Sequence, residues 1–237
     1  MNKRAIILAG GKGTRLRPYT IAFPKPLMPI GDYPILEVVI RQLAANSFDH
    51  ITITVNHQAE LIKTFFGDGS KWSVKIDYSM EDEPLGTMGP LKLIKDLPDN
   101  FLVMNGDILT DLDYASFFEK HQSENNLFTI SSYLRSHMVD YGVLKKDNDD
   151  ILTGFHEKPE KHYEVSMGIY MINKKIVKYI PKGKEFGFDD LMLEMINNKK
   201  PVKINNYNGY WLDIGRPDDY IQAIEEFADM SSKFLNE

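Results

Sequence analysis

The 237-residue sequence contains no cysteine. Disulfides and thiolate metal sites are excluded, and a reducing, cytoplasmic setting is the expectation. Positive charge is in deficit: Lys and Arg number 28 against 34 Asp and Glu, a formal net charge of −6. A nucleic-acid partner, which needs a broad basic footprint, is therefore not expected, although single cations can still serve a small anionic ligand. No stretch approaches the roughly 20 apolar residues of a spanning helix, so no membrane partner is expected. The start, Met1-Asn2-Lys3-Arg4 before an apolar run, has the charge order of a signal peptide. The run is too short for an h-region and gives way at once to Gly10-Gly11-Lys12-Gly13. Repeats, linkers and low-complexity tracts are missing as well.

With 43% hydrophobic and 26% charged residues, the composition is that of an ordinary globular protein. A chain of this length buries roughly 70% of its unfolded surface and needs no staples. One domain over 1–237 is expected, with a first half of about 1–112 and a second of about 113–237.

Strand and helix patterns alternate through the first half. Residues 5–9, 51–55, 74–80 and 101–104 read as strands. Residues 35–45 carry Leu36, Val39, Ile40 and Leu43 at helical spacing, 59–66 read as a helix stopped by Gly67, and 89–95 read as another helix. This order predicts an α/β fold, a mixed, mainly parallel sheet covered on both faces. The second half is richer in strands, at 128–134, 141–145, 151–156, 165–172 and 202–211, with helices at 188–196 and 218–227 and fraying expected from Met230 onward. Asp147 to Asp150 form a charged turn, and Asp111 and Asp113 read as N-caps of a helix near 114–121. In an open α/β sheet, ligands collect beyond the carboxyl ends of the strands. The loops at Gly10, Gly11 and Lys12 and at Gly106-Asp107 should therefore face one crevice.

The segment Leu8-Ala9-Gly10-Gly11-Lys12-Gly13-Thr14-Arg15-Leu16-Arg17-Pro18, followed by Pro24-Lys25-Pro26, carries the most information. Glycine amides can wrap a phosphate chain while Arg15 and Lys25 face its charge. A Rossmann loop needs G-x-G-x-x-G, and Leu16 stands where its last glycine belongs; an NAD-linked oxidoreductase is disfavoured accordingly. A Walker loop needs Gly-Lys-Ser/Thr at its end, which is also missing. An ordinary strand-to-helix turn would explain the glycines alone.

The longer pattern, Gly-Gly-x-Gly-Thr-Arg-Leu-x-Pro and then Pro-Lys-Pro, resembles the sugar-phosphate nucleotidyltransferases (nucleotide-sugar pyrophosphorylases). The resemblance runs through Trp211-Leu212-Asp213-Ile214-Gly215 and is closest to the short single-domain, mannose-1-phosphate guanylyltransferase-like members. It implies a Rossmann-like three-layer α/β/α nucleotide-diphospho-sugar transferase fold with a small β-rich sugar-binding lobe. It also implies conversion of NTP and sugar 1-phosphate to NDP-sugar and pyrophosphate. Longer members append further domains, for which this length leaves no residues; homo-oligomers are common among members.

By resemblance, Leu8, Ala9, Gly10, Gly11, Gly13, Thr14 and Arg15 bind the nucleotide, with Glu81, Leu85, Gly86 and Thr87. Arg15 contacts the triphosphate and the leaving pyrophosphate. Lys25 lies near the α-phosphate and the sugar phosphate. Asp107 and Asp213 hold one Mg²⁺, an ion that takes few carboxylates plus substrate oxygens. Gly142, Glu157, Lys158, Ser166 and Gly168 are assigned to the sugar phosphate. In Val165-Ser166-Met167-Gly168 the chain departs from the family, where Asn or Thr more often stands at Ser166 or Met167. At Glu81, thymidylyl- and uridylyltransferase relatives often carry Gln, whose amide both donates and accepts and so suits uracil or thymine. A carboxylate only accepts, which suits the N1–H and N2–H of guanine. Glu81 therefore favours GTP with mannose 1-phosphate or a related hexose or heptose 1-phosphate. A UTP- or dTTP-dependent enzyme is the alternative, and from another class a non-catalytic sugar-nucleotide sensor, although sensors tend to lose residues of the Arg15, Lys25, Asp107 and Asp213 kind. The histidines His50, His57, His121, His137, His156 and His162 show no metal-ligand spacing.

Overall fold

The computed structural model describes residues 3–56 and 58–235; His57 lies outside them. In chain order the first half holds β1 (Lys3–Leu8), β2 (Pro29–Ile30), β3 (Tyr33–Pro34), α1 (Ile35–Ala45), β4 (Phe48–Val55), α2 (Ala59–Phe66), β5 (Lys75–Met80), β6 (Asn100–Asn105) and β7 (Ile108–Thr110). The second half holds α3 (Tyr114–Ser123), β8 (Phe128–Met138), β9 (Val143–Lys146), β10 (Leu152–His156), β11 (Glu160–Asn173), α4 (Phe188–Asn197), β12 (Lys203–Tyr207), β13 (Trp211–Asp213) and α5 (Pro217–Leu235).

Seven strands form one sheet in the order β12-β8-β11-β6-β1-β4-β5. β1 runs parallel to β4 and β6, as do β4 to β5 and β8 to β12; β11 alone is antiparallel to its neighbours β6 and β8. The apolar run of β1 explains why the sheet is covered twice. Ala5 and Ile7 enter a core with α1, α2 and α3, while Ile6 enters a second core with α4. A third cluster joins Leu16, Ile35, Ile214 and Phe227, and so ties the first loop to α1 and α5.

Four expectations need correction. Residues 89–95 are no α-helix but a 3₁₀ turn, Gly89–Lys92: the Leu91 and Leu93 N–H groups bond three residues back, and Asp96 at φ +60° ends the run before an α-helical turn can build. Residues 202–211 are not one strand: β12 pairs with β8, whereas β13 pairs with β7, a strand the sequence reading missed. The break falls at Asn208-Gly209. Helix α5 continues past 227 to Leu235, with Phe234 fully buried, so no fraying from Met230 is seen; Asn236 and Glu237 lie outside the described residues. Asp113 caps α3 by accepting the Ser116 N–H at 2.9 Å, but Asp111 accepts from Tyr207, the Tyr210 N–H and Lys233 instead.

The outer halves of β8 and β11, with the separate β9–β10 hairpin, make the β-rich lobe. Among the described residues no helix is long and apolar enough to cross a membrane. His121 on α3 is 1% exposed, with Nδ1 2.7 Å from Thr129 Oγ1 and Nε2 without a partner. Burial drives its pKa down to about 4 from 6.5. The unfolded chain therefore takes up a proton first as pH falls, and stability drops through the window from 6.5 to about 4. Thermal melts of wild type and His121→Gln across this window should converge as pH falls; parallel curves would remove His121 as the cause.

Candidate active site

The site begins where β1 and β6 end side by side, with Leu8 opposite Asn105. The Gly106 N–H donates to the Leu8 carbonyl at 3.1 Å, so the loops after the two strands touch, as the topology required. The first loop turns at Gly13, whose φ of +60° suits glycine, and Thr20 Oγ1 donates to its carbonyl at 2.7 Å. The 3₁₀ turn Thr14–Leu16 then anchors through Leu16, which is fully buried, and leaves Thr14 and Arg15 outward. The 3₁₀ turn Lys25–Leu27 brings the Lys25 ammonium into an ion pair with Asp107 Oδ2.

Asp213 reaches the same place by strand register. β13 pairs antiparallel to β7 with Asp213 opposite Ile108, and the Ile214 N–H donates to the Asp107 carbonyl at 3.1 Å. Burial raises the pKa of Asp213, and the nearby Asp107 carboxylate raises it further, against the pull of Lys25 and Arg15. Gly215 lies against this corner: a Cβ there would stand in ordinary contact, 3.5 Å, with both terminal nitrogens of Arg15 and with Asp213 Oδ2. A cavity of about 190 Å³ results. Leu8, Ala9, Gly11, Gly13, Thr14 and Arg15 line it from the first loop, Lys25 from the second, Gly106 and Asp107 from the third and Gly215 from the last.

Two observations bear on a cation here. Asp107 Oδ1 is buried and has no hydrogen-bond partner, although Oδ2 is engaged by Lys25. No group of three or more His, Cys, Asp and Glu among the described residues is arranged for a metal. A pair of hard oxygen donors with an unsatisfied acceptor fits Mg²⁺, which completes its shell from substrate oxygens and water, and does not fit a metal needing a full protein cage.

Gly10 faces Glu81 rather than the cavity; a Cβ on it would come within 2.8 Å of Glu81 Oε1. Glu81 is 7% exposed, burial raises its pKa, and its Oε2 accepts the Leu85 N–H at 3.1 Å. That bond pins the 81–88 loop to the end of β5. The close approaches that Gly86 and Gly89 permit are to protein: a Cβ on Gly86 would meet Phe186 O at 2.7 Å, and one on Gly89 would meet Leu85 Cβ at 2.9 Å and Lys184 O at 3.3 Å. Thr87 Oγ1 accepts the Phe188 N–H at 2.8 Å, so the loop is clamped to the start of α4. Nothing local in the sequence signalled this clamp.

The residues assigned to the sugar phosphate divide. Gly168, φ +72°, lies in the irregular stretch of β11; a Cβ there would meet Asn105 Nδ2 at 2.7 Å, so this glycine lets β11 lie against the end of β6. Ser166 Oγ accepts the Gly168 N–H and donates to the Tyr170 hydroxyl, both at 3.2 Å. Gly142 packs beneath Phe155 and beside Glu157 Oε2 on the exposed hairpin. Lys158 follows at φ +43°. No hydrogen bond or ion pair among the described residues links Glu157 or Lys158 to Arg15, Lys25 or Asp107.

Sequence reasoning missed Arg135, His137 and Arg216, which border an adjoining cavity of about 360 Å³. The largest concavity described, about 590 Å³, opens on Arg4, His50 and Asp77, at the opposite, amino ends of β1, β4 and β5. Its guanidinium is already bonded to Thr52 Oγ1 at 2.6 and 3.0 Å, so it offers no free anion grip.

The chain is also similar to known proteins. The chain is 35% identical to a UTP–glucose-1-phosphate uridylyltransferase of Synechocystis over 93% of its length and 62% of the relative. It is 30% identical to a mannose-1-phosphate guanylyltransferase of Mycobacterium tuberculosis over 92% and 63%. The chain thus spans less than two thirds of these relatives. The crystal structure of HddC from Yersinia pseudotuberculosis complexed with GMP-PN superposes with a TM-score of 0.70 at 30% identity, covering 95% of this chain and 99% of that one. With the nucleotidyl transferase family model matching residues 4–230, which take in the whole glycine loop, Lys25, both aspartates and most of α5, the chain belongs to the nucleotidyl transferase family.

Proposed function

We propose that the protein joins a nucleoside triphosphate to a sugar 1-phosphate, releasing pyrophosphate, with the nucleotide handled by about residues 1–112 and the sugar by about 113–237. The observation that carries this is the meeting of Asp107 and Asp213 with Lys25 and Arg15 at the glycine loop. A phosphate oxygen of the sugar 1-phosphate attacks the α-phosphorus in line; the new P–O bond forms as the bond to the β-phosphate bridging oxygen breaks. The nucleophile is already an anion, so no general base is needed. Catalysis consists of aligning two anions that repel and of stabilising the transferring group. Lys25 holds the attacking phosphate and the α-phosphate together, and Arg15 takes charge from the triphosphate. Bound Mg²⁺, held by Asp107 and Asp213, supplies electrostatic screening between nucleotide oxygens.

For the substrates the reading is GTP and mannose 1-phosphate or a related hexose or heptose 1-phosphate. Buried Glu81 is an acceptor where a guanine edge presents donors, and HddC, a relative of full matching length, carries the guanine nucleotide GMP-PN. Oε2 accepts the Leu85 N–H and keeps a second lone pair, so both carboxylate oxygens retain capacity to accept from a base. The relatives divide between uridylyl and guanylyl transfer, so the test is a matrix of NTPs against sugar 1-phosphates, read by pyrophosphate release. GTP should lead, and Glu81→Gln should shift preference toward UTP or dTTP by roughly tenfold or more. A wild-type preference for UTP or dTTP defeats the reading of Glu81; binding without any pyrophosphate release turns the protein into a sensor.

A further inference from the structure

The far side of Arg15 carries charge that this chemistry leaves unused. In the β8–β11 ladder Arg135 stands opposite Tyr163 and His137 opposite Lys161, so these side chains share one face. Ser166, opposite Ser132, belongs to the other face, where Ser132 bonds Glu164 and Ser136 bonds His162. The Arg135 face looks onto Arg216, just ahead of α5, and Asp219 in its first turn. Together they enclose the cavity of about 360 Å³ whose inner wall is Arg15, Asp213 and Gly215. The guanidinium groups of Arg15, Arg135 and Arg216 make no hydrogen bond or ion pair with any described residue. Their guanidinium groups, with His137, outnumber the two acids present, and one of these, Asp213, belongs to the proposed cation site.

We propose that this cavity receives the pyrophosphate half of the nucleotide, first as the β- and γ-phosphates and then as the leaving group, held by Arg135 and Arg216 together with Arg15. The inference rests on the nucleotidyl-transfer reading and adds residues that reading does not use. In-line displacement sends the leaving group away from the attacking oxygen, to the opposite side of the α-phosphorus. Ser166, assigned to the sugar phosphate, lies on one face of β11, and the arginine cavity lies under the other. Three forked donors suit an oxyanion with several oxygens, which guanidinium groups bind in bidentate pairs.

The test titrates inorganic pyrophosphate with Mg²⁺ into the full chain by calorimetry, for wild type and for Arg135→Ala/Arg216→Ala. A sugar 1-phosphate that the wild type turns over serves as the control ligand. The double variant should bind pyrophosphate roughly tenfold or more weakly while its sugar 1-phosphate affinity stays within about twofold. Arg135→Lys/Arg216→Lys should recover only part, because an ammonium lacks the fork. Pyrophosphate affinity unchanged in the double variant overturns the inference, as does a loss that falls on the sugar 1-phosphate instead. If the double variant melts early, Arg216→Gln alone carries the reading, since its side chain is exposed. Wild-type pyrophosphate binding that depends on these arginines, in a chain that turns over no NTP, would defeat the transfer reading and not this site.

Discussion

Asp107→Asn is expected to lower turnover by about a thousandfold while the fold survives, the largest effect of any single substitution proposed for this protein. Asparagine keeps the shape and leaves an amide oxygen that can still accept from Lys25. The backbone that fixes this position is untouched: the Asp107 carbonyl goes on accepting the Ile214 N–H, and β13 stays paired to β7. What disappears is one negative charge and the unpartnered buried Oδ1, the atom best suited to a hard cation. Asp213, relieved of its repelling neighbour, should bind Mg²⁺ alone and weakly, so the residual activity should need a higher Mg²⁺ concentration. Pyrophosphate release measured against Mg²⁺, with a thermal melt as the fold control, reads both. Turnover within about tenfold of wild type at ordinary Mg²⁺ would strip Asp107 of its role.

That argument depends on contacts the sequence showed only in part. Helices α1 and α2 were legible to the residue, α1 from its apolar stripe at helical spacing and α2 from its stop at Gly67. The parallel sheet was legible too, since strands such as β1 are apolar on both faces. Asp107 and Asp213 were each recognisable from the residues around them, but their meeting was not. It is made by β7 and β13, both three-residue strands, too short to show a period. Asp111 was misread for a related reason. Asp is a common N-cap, and nothing near it in sequence announced Tyr207, Tyr210 and Lys233 as competitors.

The same limit explains the clamp on the 81–88 loop and the arginine cavity. Leu85 to Thr87 are held by Phe186 and Phe188, about a hundred positions on, through backbone groups and the Thr87 hydroxyl, in a pairing that no local pattern encodes. Arg135 and Arg216 sit on separate elements, and their convergence follows from which face of β8 the odd-numbered residues take. Parity along the strand could have grouped Arg135 with His137 in advance. The start of α5 as the opposite wall could not have been read without the fold.

Lys25→Ala is the second large expected effect, about a hundredfold on turnover, and its meaning lies in how it combines with the first. In the protein without substrates, Lys25 is paired to Asp107, so it serves as more than a phosphate clamp. It also offsets the repulsion between Asp107 and Asp213, since its charge lowers the Asp213 pKa that burial and Asp107 raise. Removing it leaves two neighbouring carboxylates held in place with less compensation. In the absence of Mg²⁺ the variant should therefore be less stable than wild type, and added Mg²⁺ should restore more melting temperature to it than to wild type. Removing both partners takes away the repulsion as well as the clamp. Lys25→Ala/Asp107→Asn should then lose clearly less activity than the product of the single losses, as groups acting as one unit do. A double-mutant cycle in pyrophosphate release, run beside melts with and without Mg²⁺, measures the coupling. Losses that simply multiply, with Mg²⁺ raising both melting temperatures equally, would show that the Lys25–Asp107 pair does not organise the site.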